Sequence, residues 1–414
     1  MVDSVGDSGI VTQVFFDLRS PPTAKPRSTF LGMNTRITAH ERPAPQDLQA
    51  VEWLSHLLLQ SLSLKASDIH LEPFDNLLRV RIRRDGHLVE MPAPPAGLRE
   101  QIVSRIKVQS RMDIAEKRLP QDGRLQLVLQ HRAVDMRVSS LPTLHGEKMV
   151  LRILDVQSQP LSFEALGMPD KELAQLKQAI HRPNGMVLIT GPTGSGKTVT
   201  LYTCLNHLNT ASVNIATVED PSEIVLPGAN QINVNERIGL SFDVALRALL
   251  RQDPDILMVG EIRDFATADT AVKASQTGHL VLSTLHTNDA PSTLTRLNHM
   301  GVAGFNLASS VRLICAQRLL RRLCDACKQP SPDPPGFQAV GCSQCLNGYA
   351  GRIAIHQVMP ITAALQTLVL QQASAGELAA QAAREGVRSL RQAGMSKVVS
   401  GETTVDEVMA ATHE

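Results

Sequence analysis

Aromatic residues make up only 3% of this 414-residue chain, with one Trp and two Tyr. That scarcity argues against a stacking platform for single-stranded nucleic acid. An excess of one charge is also missing. The 41 basic and 40 acidic side chains leave a net charge of +1, so no bulk field favours DNA or an anionic lipid surface. No apolar run reaches the roughly 18 residues that a membrane-spanning helix needs. The N-terminus lacks a basic start followed by an apolar stretch, so a secretory signal is not expected and a cytoplasmic location is. In that compartment six cysteines point to a metal site or free thiols rather than disulfides.

What is present organises into two domains after an N-terminal extension. Residues 1–45 carry Pro21, Pro22, Pro26, Pro43 and Pro45 among Ser and Thr, and read as a poorly ordered extension. Leu48, Val51, Leu54, Leu58 and Leu62 repeat at helical spacing over 47–64. Residues 78–84 alternate as a half-buried strand that ends in the hairpin turn Asp85-Gly86. A helix over 96–111 and strands over 124–130 and 132–139 complete a mixed α/β domain, 46–153. Residues 154–163 read as a linker. From 164 to 414, apolar runs at 186–190, 214–218, 256–260 and 280–285 alternate with helical segments. That is the pattern of a parallel sheet covered by helices on both faces. After Cys345 the chain is expected to be mostly helical.

The strongest motif is Gly191-Pro192-Thr193-Gly194-Ser195-Gly196-Lys197-Thr198, placed directly behind the apolar run 186–190. The glycines let the backbone curl so that several N–H groups point at one phosphate. The helix opening at about Lys197 turns its positive dipole end to the same anion. Lys197 is expected to reach the β- and γ-phosphates of ATP, and Thr198 to ligate Mg²⁺. Strand, loop and helix agree, so an accidental glycine-rich turn is the weaker reading.

Three further strand ends supply chemistry. Ile256–Gly260 delivers Glu261, and Ile215–Val218 delivers Glu219-Asp220, both at the edge where parallel sheets place ligands. Either Glu219 or Glu261 can serve as the water-activating base, and the residues alone do not divide the two roles. His286 follows the run 280–285, where it can contact the γ-phosphate or take a structural or solvated role. His279 is at best a helper. Cys324-x-x-Cys327 and Cys342-x-x-Cys345, 14 residues apart, have the spacing of a closed, structural Zn²⁺ site. Cys204 and Cys315 read as small buried hydrophobes on helices. Arg124, Arg137, Arg247 and Arg251 are, on spacing alone, surface or salt-bridge residues.

Ordered together, these motifs resemble the secretion ATPases of type II secretion and type IV pilus assembly, the GspE/PilB group, over roughly 46–414. The resemblance rests on residues 66–73 (ASDIHLEP), 118–124 (RLPQDGR), the phosphate loop, Glu219-Asp220-Pro221, 249–255 (LLRQDPD) and 260–264 (GEIRD). It continues through Thr277-Gly278-His279, 285–289 (LHTND), the cysteine quartet and 348–352 (GYAGR). It implies an α/β chain with a RecA-like P-loop ATPase domain, a PAS-like N-terminal domain and a small zinc-bearing region at about 320–350. It also implies a homo-hexamer that hydrolyses ATP and pushes on an inner-membrane platform protein, peripheral to the membrane and without nucleic acid. The site would lie between the domains, with Lys197, Thr198, Glu219, Glu261 and His286 joined by Arg124, Arg137, Arg247 and Arg251. A pilus-retraction enzyme is the near alternative, disfavoured because such enzymes usually lack the cysteine quartet; a nucleic-acid translocase is the distant one. Lys65 stands where the family favours glycine, Lys273–Gln276 where it favours Ala and Leu, and Gln357 where it commonly has glutamate. Larger relatives carry a further N-terminal domain, which leaves membrane recruitment open.

Overall fold

The computed structural model describes residues 45–129, 132–154, 161–332 and 336–412; the proposed extension and most of the proposed linker lie outside them. The chain divides into two compact units, Met1–Asp155 and Val156–Glu414.

The first unit runs α1 (Pro45–Ser63), β1 (Asp68–Pro73), β2 (Leu78–Arg84), β3 (His87–Met91), α2 (Arg99–Gln109), β4 (Gln121–Leu129), β5 (Arg132–Thr143) and β6 (Gly146–Leu154). The six strands form one antiparallel sheet in the order β3-β2-β1-β6-β5-β4. Alternation decides its faces. Ile69, Leu71, Val80, Ile82, Met136, Val138, Met149 and Leu151 share one buried core with Leu54, Leu57 and Leu58 of α1 and Ile102 and Ile106 of α2. The helical repeat in α1 is real but rotated from the expectation. Leu48 is 52% exposed, and Ala50 and Leu57 take the buried stripe instead.

The opposite face of that sheet is charged. Directly paired residues on neighbouring strands share a face, and the registers Arg83↔Asp68↔Arg152↔Arg137↔Arg124 draw one row across β2, β1, β6, β5 and β4. Asp68 holds Arg152 at 3.0 Å and Arg83 at 3.6 Å. Arg124 and Arg137, both exposed, have no ion pair among the described residues.

The second unit contains α3 (Asp170–Ile180), β7 (Gly185–Thr190), α4 (Lys197–Leu208), β8 (Ile215–Glu219), β9 (Asn230–Asn233), α5 (Phe242–Leu249), β10 (Ile256–Val259), α6 (Phe265–Gln276), β11 (Leu280–Leu285), α7 (Ala290–His299) and α8 (Gly304–Ser310). It continues with β12 (Val311–Leu323), β13 (Gln329–Pro330), β14 (Phe337–Gln338), β15 (Tyr349–Pro360), α9 (Ala363–Leu370), α10 (Ala375–Arg384), α11 (Leu390–Val399) and α12 (Val405–Ala411). Its main sheet has the order β15-β12-β7-β11-β10-β8-β9. All pairs are parallel except β12–β15. Successive strand residues feed two cores. Met186 and Leu188 pack with α5, α6, α7 and α8, whereas Val187 and Ile189 pack with α3 and α4.

Two expectations need correction. The chain does not turn helical after Cys345, because β15 first runs twelve residues back along β12; the helices begin at Ala363. Cys315 lies on β12, not on a helix, although like Cys204 it is fully buried. In both strands buried or half-buried polar residues, Gln317 and Arg318 on β12 and His356 and Gln357 on β15, break the apolar pattern and blur the period-two signal. Among the described residues no helix is long and apolar enough to cross a membrane.

Candidate nucleotide site and cysteine cluster

The buried strand β7 aims the phosphate loop out of the C-terminal edge of the parallel sheet, and α4 opens at Lys197. Gly194 and Gly196 take φ of +76° and +85°, the left-handed region that glycine adopts without penalty. At Gly191 a Cβ atom would stand 2.4 Å from the Gln317 carbonyl oxygen, so only glycine lets the loop pass β12. Lys197 is 9% exposed, and its Nζ donates to the carbonyls of Gly191 at 2.7 Å and Pro192 at 3.0 Å. Burial pulls its pKa down to about 8; Glu261 opposes that shift and Arg318 adds to it. Thr198 is half-buried in the first turn of α4.

The registers carry three other strand ends to the same edge. Val259 pairs with Val218 and Ser283, and Leu285 with Thr190. Glu219 closes β8, Glu261 follows β10 by two residues, and His286 follows β11 directly. The two glutamates have different surroundings. Glu219 is buried and saturated: Tyr202 donates its hydroxyl to both carboxylate oxygens at 2.7 and 2.8 Å, and Thr217 donates at 2.7 Å. Burial and then Glu219 itself push the Tyr202 hydroxyl pKa upward. Glu261 is held only at its rim, by Arg263 on one oxygen and by His286 Nε2 at 3.6 Å from the other. Arg263 also lies 3.8 Å from Asp220. Burial, followed by the positive charge of Lys197, lowers the His286 pKa. That leaves a neutral imidazole beside Glu261 near neutral pH.

Other anticipated residues lie elsewhere. His279 precedes β11 at the opposite edge of the sheet, and its Nδ1 lies 2.9 Å from the Ala274 carbonyl oxygen. Arg251 follows α5 at that same edge. Its Nη1 donates to the Arg247 carbonyl at 2.9 Å, and Asn214, just before β8, donates to the Gln252 and Asp253 carbonyls. Arg247 pairs with Asp243 on its own helix. Arg124 and Arg137 belong to the first unit. Tyr202, Gln317 and Arg318 escaped sequence reasoning. Tyr202, one of two tyrosines in the chain, sits five residues beyond Lys197 and was the one readable signal.

The four cysteines converge at the tip of the β12–β15 hairpin. Cys324 follows β12 directly, and its N–H donates to the Gly348 carbonyl at 2.8 Å, just before β15. Sulfur–sulfur separations are 3.9 Å for Cys324–Cys342, 3.8 Å for Cys327–Cys345 and 3.7 Å for Cys342–Cys345. An ion about 2.3 Å from four tetrahedral sulfurs sets that edge at about 3.8 Å. All four sulfurs lie within 4.8 Å of one another, so the cluster can hold a metal ion. Burial acts upward on the Cys345 thiol, but backbone N–H groups outweigh it and bring the pKa down to about 7. Its partners shift the other way, with Cys327 pushed up to about 12 and Cys342 raised, so in the metal-free cluster the first proton leaves Cys345.

Comparison with known proteins converges on one family. The family model described as "Type II/IV secretion system protein" matches residues 45–410. The type IV pilus assembly ATPase PilB of Acinetobacter baylyi is 50% identical over 384 residues, covering 88% of this chain and 66% of its own length. The type II secretion system protein HxcR of Pseudomonas aeruginosa is 51% identical over 365 residues, covering 88% of this chain and 77% of its own. A crystal structure of the pilus retraction motor PilT with bound ADP superposes with a TM-score of 0.62 at 26% identity, covering 87% of this chain and 96% of that one. The chain thus spans about two thirds of the length of its PilB relative. With the phosphate loop, three chemistry-bearing strand ends and a RecA-like strand order in one unit, the chain belongs to the type II/IV secretion system protein family, within the GspE/PilB group of secretion ATPases.

Proposed function

We propose that this chain is the ATP-hydrolysing subunit of a hexameric motor that drives type IV pilus assembly or type II secretion. The motor works at the inner face of the membrane through a platform protein. The observation that carries the hydrolytic reading is the convergence of Glu261, His286 and Lys197 on one sheet edge beside the phosphate loop. Loop N–H groups and Lys197 cradle the β- and γ-phosphates, and Thr198 supplies a hydroxyl for Mg²⁺, which would neutralise phosphate charge. Glu261, loosely held, orients the attacking water, and His286 lies against it. Glu219 is committed to Tyr202 and Thr217 and acts as a support for the strand end. Arg124, Arg137, Arg247 and Arg251 are the proposed source of further guanidinium charge. The edge position of Arg251 favours supplying it to a neighbouring copy rather than to its own loop. The cysteine cluster takes Zn²⁺ in a structural role and favours assembly over retraction.

The test is Glu261→Gln. ATP turnover is expected to fall by about a hundredfold or more while ATP binding persists, as for loss of a group used only in the transition state. Turnover that stays at the unsubstituted level would sink this reading.

A further inference from the structure

The strand on the far side of β7 carries an arginine that the site described above does not use. β12 runs parallel to β7, with Ala316 paired to Thr190. Gln317 therefore stands level with the start of the phosphate loop, and Arg318 one residue beyond it. Side chains of adjacent strand residues point to opposite faces, and here each takes hold of a different segment. Gln317 Oε1 accepts from the Thr200 hydroxyl of α4 at 2.7 Å. On the other face, Arg318 Nη2 donates to the Asn288 carbonyl at 2.7 Å, two residues past His286. Arg318 Nη1 donates to the Gln317 carbonyl at 3.2 Å, the same oxygen that forbids a side chain at Gly191.

The His286 segment is thus anchored around its short length. Thr190 Oγ1 accepts from the Thr287 N–H at 3.1 Å, and the Thr287 and Thr293 hydroxyls lie 2.7 Å apart. Arg318 supplies the anchor from the β12 side. Its charge is only partly offset there: burial lowers its pKa and the Asp289 carboxylate opposes that shift. Arg318 has no ion pair among the described residues. The nearby Asp289 carboxylate is spent capping α7, where Oδ1 accepts from the Ser292 N–H at 2.7 Å. A half-buried guanidinium bound to two backbone carbonyls, with no carboxylate in ion-pair contact, is a costly element to place beside a lysine. It is explained if an anion is to arrive there.

We propose that Arg318 is a positioning residue of the nucleotide site. It fixes the His286–Asp289 segment against the phosphate loop, so that His286 and Lys197 meet the same phosphate. This deepens the hydrolase reading and rests on it. The titratable and charged groups facing Lys197 are Glu261, which holds its proton on, Arg318, which helps drive it off, and His286, whose own pKa Lys197 lowers.

The test compares Arg318→Ala and Arg318→Lys in the full chain, with ATP as substrate and a fluorescent ATP analogue as binding probe. For Arg318→Ala, kcat should fall by about tenfold or more with KM changed by less than about threefold, the signature of a misplaced group rather than lost binding. The alkaline fall-off of analogue binding, near pH 8 where Lys197 loses its proton, should move to higher pH. Arg318→Lys keeps the charge but not the two-pronged hold, so kcat should still drop while the alkaline limb stays. An Arg318→Ala protein with unchanged kcat and an unmoved limb overturns the proposal, as does a raised KM with kcat intact. If Arg318→Ala fails to fold, the Lys variant decides: a lowered kcat with the limb in place upholds the proposal, and an unchanged kcat overturns it. If the unsubstituted chain binds the analogue but never hydrolyses ATP, the hydrolase reading falls and the shift of the binding limb alone decides the role of Arg318.

Discussion

Lys65 shows how a single residue can carry a cost that its side chain does not reveal. It is exposed and adopts φ of +55° in the turn between α1 and β1. A Cβ in that region costs roughly 1 kcal/mol that glycine avoids. The glycine expected at this position from the family resemblance would therefore have a backbone cause. Lys65→Gly is expected to stabilise the chain by a few tenths of a kcal/mol in urea unfolding, on the order of the gain at φ less the added unfolded-state freedom; a loss of stability would show that the side chain matters. Gln357 is a second informative departure. Buried on β15, it accepts the Ala290 N–H at 2.9 Å. A neutral amide satisfies that N–H without burying a charge.

At the scale of elements, the β12–β15 hairpin joins the two halves of the chemistry. Its base brackets the phosphate loop through Gln317 and the His286 segment through Arg318, and its tip is the cysteine cluster. The tip is tied back by the chain that follows α11. The Leu323 N–H donates to the Glu402 carbonyl at 2.8 Å, and the Tyr349 and Thr404 hydroxyls lie 2.9 Å apart. A metal held there would close the loop between the cysteine pairs and stiffen the hairpin end. The purified chain is expected to carry one zinc by atomic absorption. A strong chelator should lower the thermal midpoint by about 5 °C or more, since a structural metal contributes binding energy to folding. A metal-free chain with the same melting curve would remove the zinc assignment. Long strands of this kind were the hardest to read in advance. Gln317 and Arg318 interrupt an apolar run because they face a site, so β12 showed neither clean alternation nor continuous hydrophobicity. Short buried strands such as β7 and β10 were plain from composition alone.

For the molecule as a whole, the two-unit division and the doubly covered sheet were legible because apolar runs, loop glycines and turn residues point to the same elements. The partners of each site residue were not. Spacing brought Glu219 and Glu261 to one edge, but only packing shows that Tyr202 and Thr217 saturate the first and leave the second open. Global stability should also carry an acid dependence that spacing does not announce. His356 on β15, paired in register with Gln317, is 4% exposed, and neither ring nitrogen has a hydrogen-bond partner among the described residues. Burial lowers its pKa from 6.5 to about 4. The unfolded chain therefore binds that proton first, and stability is lost as pH falls from about 6.5 towards 4. Urea unfolding of the second unit across this range should show the loss, and His356→Phe should flatten it; an unchanged slope would assign the dependence to other groups. The arginine row on the first unit has a consequence of a different kind. Its five members, at strand spacings of about 4.8 Å, carry one negative and four positive charges, which draws small mobile anions to the open face. Any polyanion that settles there must displace them. Its hold on this face will therefore weaken as ionic strength rises and the screening length shrinks below the span of the row.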